Sequence, residues 1–167
     1  MFDELLKLVS NESGDQIINN PQIPNEQNDA AVETTTSSIM DSLKGQIAGG
    51  NGADVLSLLG GQSGVQGNPL VGNLTANVTN SLMDKLGVSN PVAKQIAASL
   101  VPVVIGKLVN RTNDPNDSDF DINSIFGSLT GGKSDQFNLV GLLSGSQNQE
   151  QQQSPDLGSI FNILAGK

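Results

Sequence analysis

A chain of 167 residues with 36% hydrophobic residues, 3% aromatic residues and a formal net charge of −9 predicts one domain with tails, and a core of Leu, Ile, Val and Ala. The sequence contains neither Cys nor His, which excludes disulfides, thiolate chemistry and the most common general base and metal ligand. The eight Lys and Arg residues are scattered, so the negative charge argues against direct contact with nucleic acid or anionic lipid.

Two helices separated by a linker are predicted in the first fifty residues. The apolar positions of the first helix are Phe2, Leu5, Leu6 and Val9, and Ile17 and Ile18 can extend it beyond Gly14. Residues 21–29 are rich in Pro, Asn and Gln, which is typical of a linker. The stripe of the second, longer helix is Val32, Thr36, Ile39, Leu43 and Ile47. The pair Gly49–Gly50 is expected to end this helix.

The strongest pattern in the chain predicts a helical hairpin at about residues 68–110. Its first helix has apolar residues four apart at Leu70, Leu74, Val78, Leu82 and Leu86. Gly87 suits the left-handed position that ends a helix, Asn90 can cap the next helix, and Pro91 suits its first turn. The predicted stripe of the second helix is Val92, Ile96, Leu100, Val103, Val104 and Leu108. Pro102 should kink or split this helix, and the apolar segment around it could instead be a partner-binding surface.

A short phrase recurs four times: Asp or Asn, an apolar residue, any residue, Ser or Gly, then two apolar residues. It occupies residues 54–59, 121–126, 138–143 and 156–161, and residues 121–132 and 156–167 are identical at six of twelve positions. The first residue of each copy can cap a helix, but helices this short are marginal in water. We therefore predict docking helices that fold against the chain's own core or against a neighbouring copy. Chance convergence among Leu- and Gly-rich helices is the alternative.

Period-two alternation is weak throughout, so the predicted fold class is all-α. We expect a small helical array with a central hairpin, short amphipathic docking helices and flexible joints rich in Gly, Asn and Gln. The predicted organisation is a short N-terminal helix at 1–20, a linker at 21–29, a helical core at 30–132, and a Gly/Gln-rich tail with a terminal docking helix at 133–167.

The run "LGVSNPVAKQIAASLVPVVIGKLV" at residues 86–109 carries a family resemblance, together with the opening "MFDELLKLV" and the segment "LLGGQSGVQG". Over roughly residues 1–130 the chain resembles the YidB-like family of small bacterial proteins of unknown function. The resemblance implies a small, soluble, all-helical fold and no particular activity. The Asn/Gln-rich insertion before Val32 and the tail after Gly132 depart from it.

The motifs of common enzymes and metal sites are missing. There is no Gly-x-Ser-x-Gly elbow and no phosphate-binding loop that ends in Gly-Lys-Ser/Thr, so we predict no enzyme and no cofactor. Asp117, Asp119 and Asp121 alternate as in a calcium-binding EF-hand loop. However, Ile122 stands where that loop has Gly and Ser128 where it has Glu, so no metal site is predicted.

Residues 81–100 resemble a helix-turn-helix that would present Lys94 and Gln95 to DNA, but the phosphate-binding charge is lacking. We therefore predict a non-enzymatic structural or protein-interaction protein, a scaffold or self-associating subunit. DNA binding through this segment and small-molecule binding by a helical bundle are the alternatives. The first ten residues are unlike a secretory signal, and the longest apolar stretch, of about ten residues, is short of the roughly 20 that a membrane helix needs. The expected location is cytoplasmic, without membrane insertion.

The candidate interaction residues lie in the terminal copy of the phrase. Leu157, Ile160, Phe161 and Leu164 are spaced to form one apolar face of a helix. Such a face is rarely left exposed on a monomer, so we predict that it is buried against another chain, with Phe161 as the anchor. The alternative is docking within the same chain, in a place that the 121–126 copy leaves open.

Overall fold

The computed structural model describes residues 1–131, which form six α-helices and, within that range, no β-strand. The helices are α1 (Phe2–Glu12), α2 (Asn28–Gln46), α3 (Gly52–Leu59), α4 (Pro69–Leu86), α5 (Asn90–Thr112) and α6 (Ile122–Leu129). The all-α prediction is confirmed. The copies of the phrase at 138–143 and 156–161 lie outside the described residues.

The predicted hairpin is the pair α4 and α5, which pack more extensively against each other than any other two helices do. The side chain of Asn68 caps α4 by accepting a hydrogen bond of 2.9 Å from the Leu70 backbone N–H. Gly87 ends α4 with φ of 66°, in the left-handed region predicted for it. The predicted cap at Asn90 is wrong: Ser89 precedes the helix, and the Asn90 amide lies 3.3 Å from the Met83 sulfur.

Helix α5 runs without a break through Pro102. The predicted stripe of α5 is partly wrong, because Val103 is 45% exposed whereas Val101 and Ile105 are fully buried. The buried residues of α5 are Ala93, Ile96, Ala97, Leu100, Val101, Val104, Ile105 and Leu108. At 3.6 residues per turn they cover about half of the helix circumference. A helix enclosed on this many sides has no narrow apolar stripe to predict.

Four helices form a closed ring of neighbours around the core. Helix α1 packs against α2 and α5, α2 packs against α4, and the hairpin joins α4 to α5. The predicted stripe of α2 is buried throughout, and its buried Thr35 and Thr36 hydroxyls each donate a 2.8 Å hydrogen bond to a carbonyl four residues earlier. Helices α3 and α6 pack against each other and against this ring.

The connections from α1 to α2 and from α2 to α3 contain short helical turns. One π-helical turn, Gly14–Ile18, follows α1, with Ile17 buried and Ile18 exposed. Within residues 21–29, Ile23 is buried in the core before the short turn Asn25–Gln27. Gly50 interrupts the helical backbone after α2 with φ of 93°, as expected for the predicted helix end.

Among the described helices, α5 is long and apolar enough, by length and composition, to cross a membrane. Core helices of soluble proteins satisfy the same criterion. Here eight of the α5 side chains are buried against the other helices of the ring, which is the environment of a core helix.

Candidate interaction surface

The four predicted interaction residues, Leu157, Ile160, Phe161 and Leu164, lie outside the described residues. Their counterparts in the 121–132 copy are described, because aligning the two segments at their first Asp places these residues at the positions of α6. The counterparts are Ile122, Ile125, Phe126 and Leu129. Helix α6 therefore shows what this phrase does in the context of the fold.

Helix α6 folds as the phrase predicts. One carboxylate oxygen of Asp121 accepts hydrogen bonds of 3.1 Å from the backbone N–H groups of Asn123 and Ser124. These bonds satisfy two of the donors that a helix start leaves unpaired. On the apolar face Phe126 is fully buried, Ile125 is 1% exposed and Leu129 is 6% exposed. The phrase is thus an Asp-capped helix that buries three of its four apolar-face residues, while Ile122 is partly buried.

Helix α3 contains the first copy of the phrase, and here the capping prediction is wrong. Asp54 is the third residue of α3, whose start is Gly52, and no side chain caps this helix. The helical turn Ile47–Asn51 leads directly into α3, so α3 starts two residues before Asp54 rather than after it. The apolar part of the prediction is confirmed, since α3 buries Val55, Leu56, Leu58 and Leu59.

Helix α6 lies against two glycines that flank the first copy, Gly52 at the start of α3 and Gly60 just after its end. A Cβ at Gly52 would lie 3.8 Å from the Phe126 ring, and a Cβ at Gly60 would lie 3.7 Å from the Ile122 side chain. A Cβ at either position would be in ordinary van der Waals contact with α6, so the two glycines lie directly beside its larger side chains. Helix α6 therefore packs directly beside α3. Docking of the terminal copy within the same chain stays a prediction, because that copy lies outside the described residues.

The acidic run before α6 has structural partners. The Arg111 guanidinium forms an ion pair with Asp117 and stacks 4.0 Å from the centroid of the buried Phe120 ring. The hydrogen bond from Arg111 lowers the pKa of Asp117, against the opposing effect of desolvation. Asp117 thus ties the turn before α6 to α5 through Arg111, and Asp121 caps the start of α6.

A groove between α4 and α5 is the largest and most apolar of the described clefts. It has a volume of about 690 Å³, and its walls come from the segment before α4, from α4 and from the middle of α5. Val65, Pro69, Gly72, Thr75, Ala98 and Pro102 are among its lining residues. None of the residues that line the groove is charged. A groove of this kind fits an uncharged apolar face better than a polar ligand.

Pro102 removes one backbone donor of α5 beside this groove. In an uninterrupted helix the N–H of residue 102 would donate to the carbonyl of Ala98, but proline has no N–H. Both residues line the groove. The groove thus combines apolar walls with a backbone carbonyl that lacks its usual intrahelical donor.

A second cleft, between α2 and α4, is polar and includes Asp41, Asp84 and Lys85. The Asn77 amide spans part of it by donating a 3.0 Å hydrogen bond to the Ser42 hydroxyl. Within residues 1–131 no group of three or more acidic side chains is arranged to hold a metal ion.

The predicted DNA-reading residues Lys94 and Gln95 are exposed on the first half of α5. Further along the helix, Lys107 lies 3.6 Å from Glu12, and Arg111 is paired with Asp117. Two of the three cations of α5 are therefore matched by carboxylates of this chain rather than available to phosphate groups.

Comparisons with protein-family models, with curated proteins and with solved structures found no match for this chain. The resemblance to the YidB-like family stays a prediction from the residues quoted above.

Proposed function

We propose that the protein is a non-enzymatic structural or interaction protein that self-associates through the terminal copy of its repeated phrase. The observation that carries the proposal is the burial of α6: a phrase with the same apolar positions buries Ile125, Phe126 and Leu129 against the protein core. The terminal copy has the same need for a surface, because its apolar residues are Leu157, Ile160, Phe161 and Leu164.

Two further features support association between chains. The place beside α3 is already occupied by α6, so the terminal copy needs another surface. The net charge of −9 and the pairing of Lys107 and Arg111 with carboxylates favour a protein partner over a nucleic acid. The proposed setting is the cytoplasm, without membrane insertion and without a cofactor.

The proposal predicts that deletion of residues 155–167 lowers the oligomeric mass of the protein while the helical domain stays folded. Sedimentation equilibrium gives the mass, and circular dichroism with thermal melting reports the fold. Phe161→Ala should weaken association in the same direction, because it removes the predicted anchor. Ile163→Ala is the matched control, since Ile163 aligns with Ser128, which is exposed on α6.

One outcome of the deletion would contradict the proposal. If the truncated chain keeps the mass of the full chain but melts at a lower temperature, the terminal segment belongs to the core of its own chain and the proposal is wrong.

A further inference from the structure

The groove between α4 and α5 is a surface that α6 does not use. It is lined by uncharged residues, with small residues at Gly72 and Ala98 and apolar walls at Val65, Pro69 and Pro102. A Cβ placed on Gly72 would meet no atom within 4 Å, so this part of the groove is open space rather than a packed contact. The groove can therefore accept a side chain without rearrangement of the hairpin.

Three of the other four described clefts carry carboxylates, at Asp41 and Asp84, at Glu12 and Asp15, and at Asp54. The fourth, at the turn of the hairpin, is uncharged but mostly polar. The α4–α5 groove is the described cleft that combines an uncharged lining with mainly apolar walls. This combination restricts the chemistry of its occupant to an uncharged, apolar segment.

The chain carries a segment with that chemistry. Residues 157–166 contain no charged side chain, and three of the four positions on their apolar face match residues that α6 buries, Ile125, Phe126 and Leu129. We infer that the terminal segment, residues 156–167 of a second copy of this chain, docks in the α4–α5 groove with Phe161 as the central apolar residue. The inference rests on the proposed function and adds the receptor surface that self-association requires.

The length of the intervening chain permits this arrangement. The 25 residues from Gly131 to Asp156 span at most about 85 Å when fully extended. A compact domain of the described size has a radius of gyration of only about 14 Å. The segment can therefore pass from one copy to the groove of another. Since each copy supplies one segment and one groove, reciprocal docking closes a two-fold dimer.

The absence of cysteine from the sequence makes a direct test clean. The full chain carrying Ser159→Cys is mixed with the full chain carrying Ala98→Cys, and a short bismaleimide links thiols that lie close together. Ala76→Cys is the matched control, because Ala76 is also an exposed alanine within the hairpin but does not line the groove. Docking predicts several-fold more linked dimer with Ala98→Cys than with Ala76→Cys. Equal yields from the two would overturn the inference.

Two groove variants give an independent readout of the same surface. Ala98→Glu places a charge in the groove, and Gly72→Leu fills it with an apolar side chain. Both should lower the oligomeric mass of the full chain and leave its melting temperature nearly unchanged, whereas Ala76→Glu should leave both unchanged. If Ala98→Glu and Gly72→Leu retain the full mass, the groove is not the docking surface.

The failure of the proposed function has a different signature. In a chain that carries both Ser159→Cys and Ala98→Cys, docking between copies yields linked dimers. If the two cysteines are instead linked within one chain and the protein has the mass of a monomer, the segment occupies the groove of its own chain. That result would overturn both self-association and docking between copies. A different result would separate the two hypotheses. If deletion of residues 155–167 lowers the oligomeric mass but Ala98→Cys and Ala76→Cys are linked equally, the chain self-associates through the segment and the groove is not its docking surface.

Discussion

Leu82 shows how one residue of the hairpin contributes to stability. It is fully buried one turn before the end of α4, facing the core that the ring of helices encloses. Truncation to Ala leaves a cavity that the packed neighbours fill only in part, so Leu82→Ala should cost about 2–5 kcal/mol of unfolding free energy. Denaturant unfolding followed by circular dichroism measures this loss.

Val103→Ala is the matched control for Leu82→Ala, because Val103 is 45% exposed on the partner helix. Its truncation should change the unfolding free energy by no more than about 0.5 kcal/mol. An unmoved denaturation midpoint for Leu82→Ala would contradict the hairpin packing.

Asp117 predicts a pH dependence of stability. Its pKa is lowered in the native state by the hydrogen bond from Arg111, so the native carboxylate binds a proton less tightly than the unfolded one. The resulting stabilisation is fully present above the unfolded pKa of about 3.9 and is lost as the pH falls through the lower native pKa. Asp117→Asn should therefore destabilise the protein at neutral pH, and the difference from the natural chain should shrink in acid.

The measurement for Asp117 is the unfolding free energy of both chains between neutral and strongly acidic pH. Asp119→Asn removes a neighbouring exposed carboxylate outside the ion pair and serves as the control. A difference between the Asp117→Asn chain and the natural chain that stays constant across this range would contradict the role of Arg111.

At the scale of the helix, the two described copies of the phrase differ in how they begin. Asp121 caps α6 through two backbone N–H groups, whereas Asp54 lies inside the first turn of α3. Asp121→Ala should cost about 0.5–2 kcal/mol, the usual effect of losing a capping side chain. Asp54→Ala should change the stability by less, within about 0.5 kcal/mol, because it removes no capping bond. Equal losses in thermal or denaturant unfolding would show that the copies start in the same way.

The sequence predicted some helices well for a physical reason. Helix α4 is buried along one stripe, so its regular Leu and Val spacing predicts its buried face, and Gly87 predicts its end. The cap at Asn68 was not predicted from the sequence. Helix α5 contacts α1, α3 and α4, so its buried residues spread around the axis and Val103 could not be told from Val101. Sequence periodicity identifies a face only where a helix has one buried side.

The candidate surface was harder to predict than the fold. The repeated phrase identified Ile160 and Phe161 as apolar residues in need of a partner, but not the surface that would receive them. The groove arises when the segment before α4 meets the middle of α5, about thirty residues later in the sequence. Val65 and Pro102 carry no local signal that they share a cleft, because that proximity depends on the packing of the whole hairpin.

At the scale of the whole molecule, the N-terminal residues are part of the core. Leu5, Val9 and Ile17 are all fully buried, and α1 packs against both α2 and α5. Deletion of residues 1–20 would expose the apolar side of α5 that α1 covers, so we expect a large drop in the melting temperature of the entire domain. The unfolding transition of the natural chain should be single, with the same midpoint by far-ultraviolet circular dichroism and by hydrogen exchange of α1 and α5.

Phe2→Ala provides the control for this deletion, since Phe2 is 38% exposed at the start of α1 and its loss should leave the transition nearly unmoved. If the chain without residues 1–20 melts at the same temperature as the full chain, α1 is an appendage. The core would then be formed by α2, α4 and α5 without α1. Because the side chains of Leu5, Val9 and Ile17 are fully buried in the shared core, we expect their removal to destabilise the whole domain as one unit.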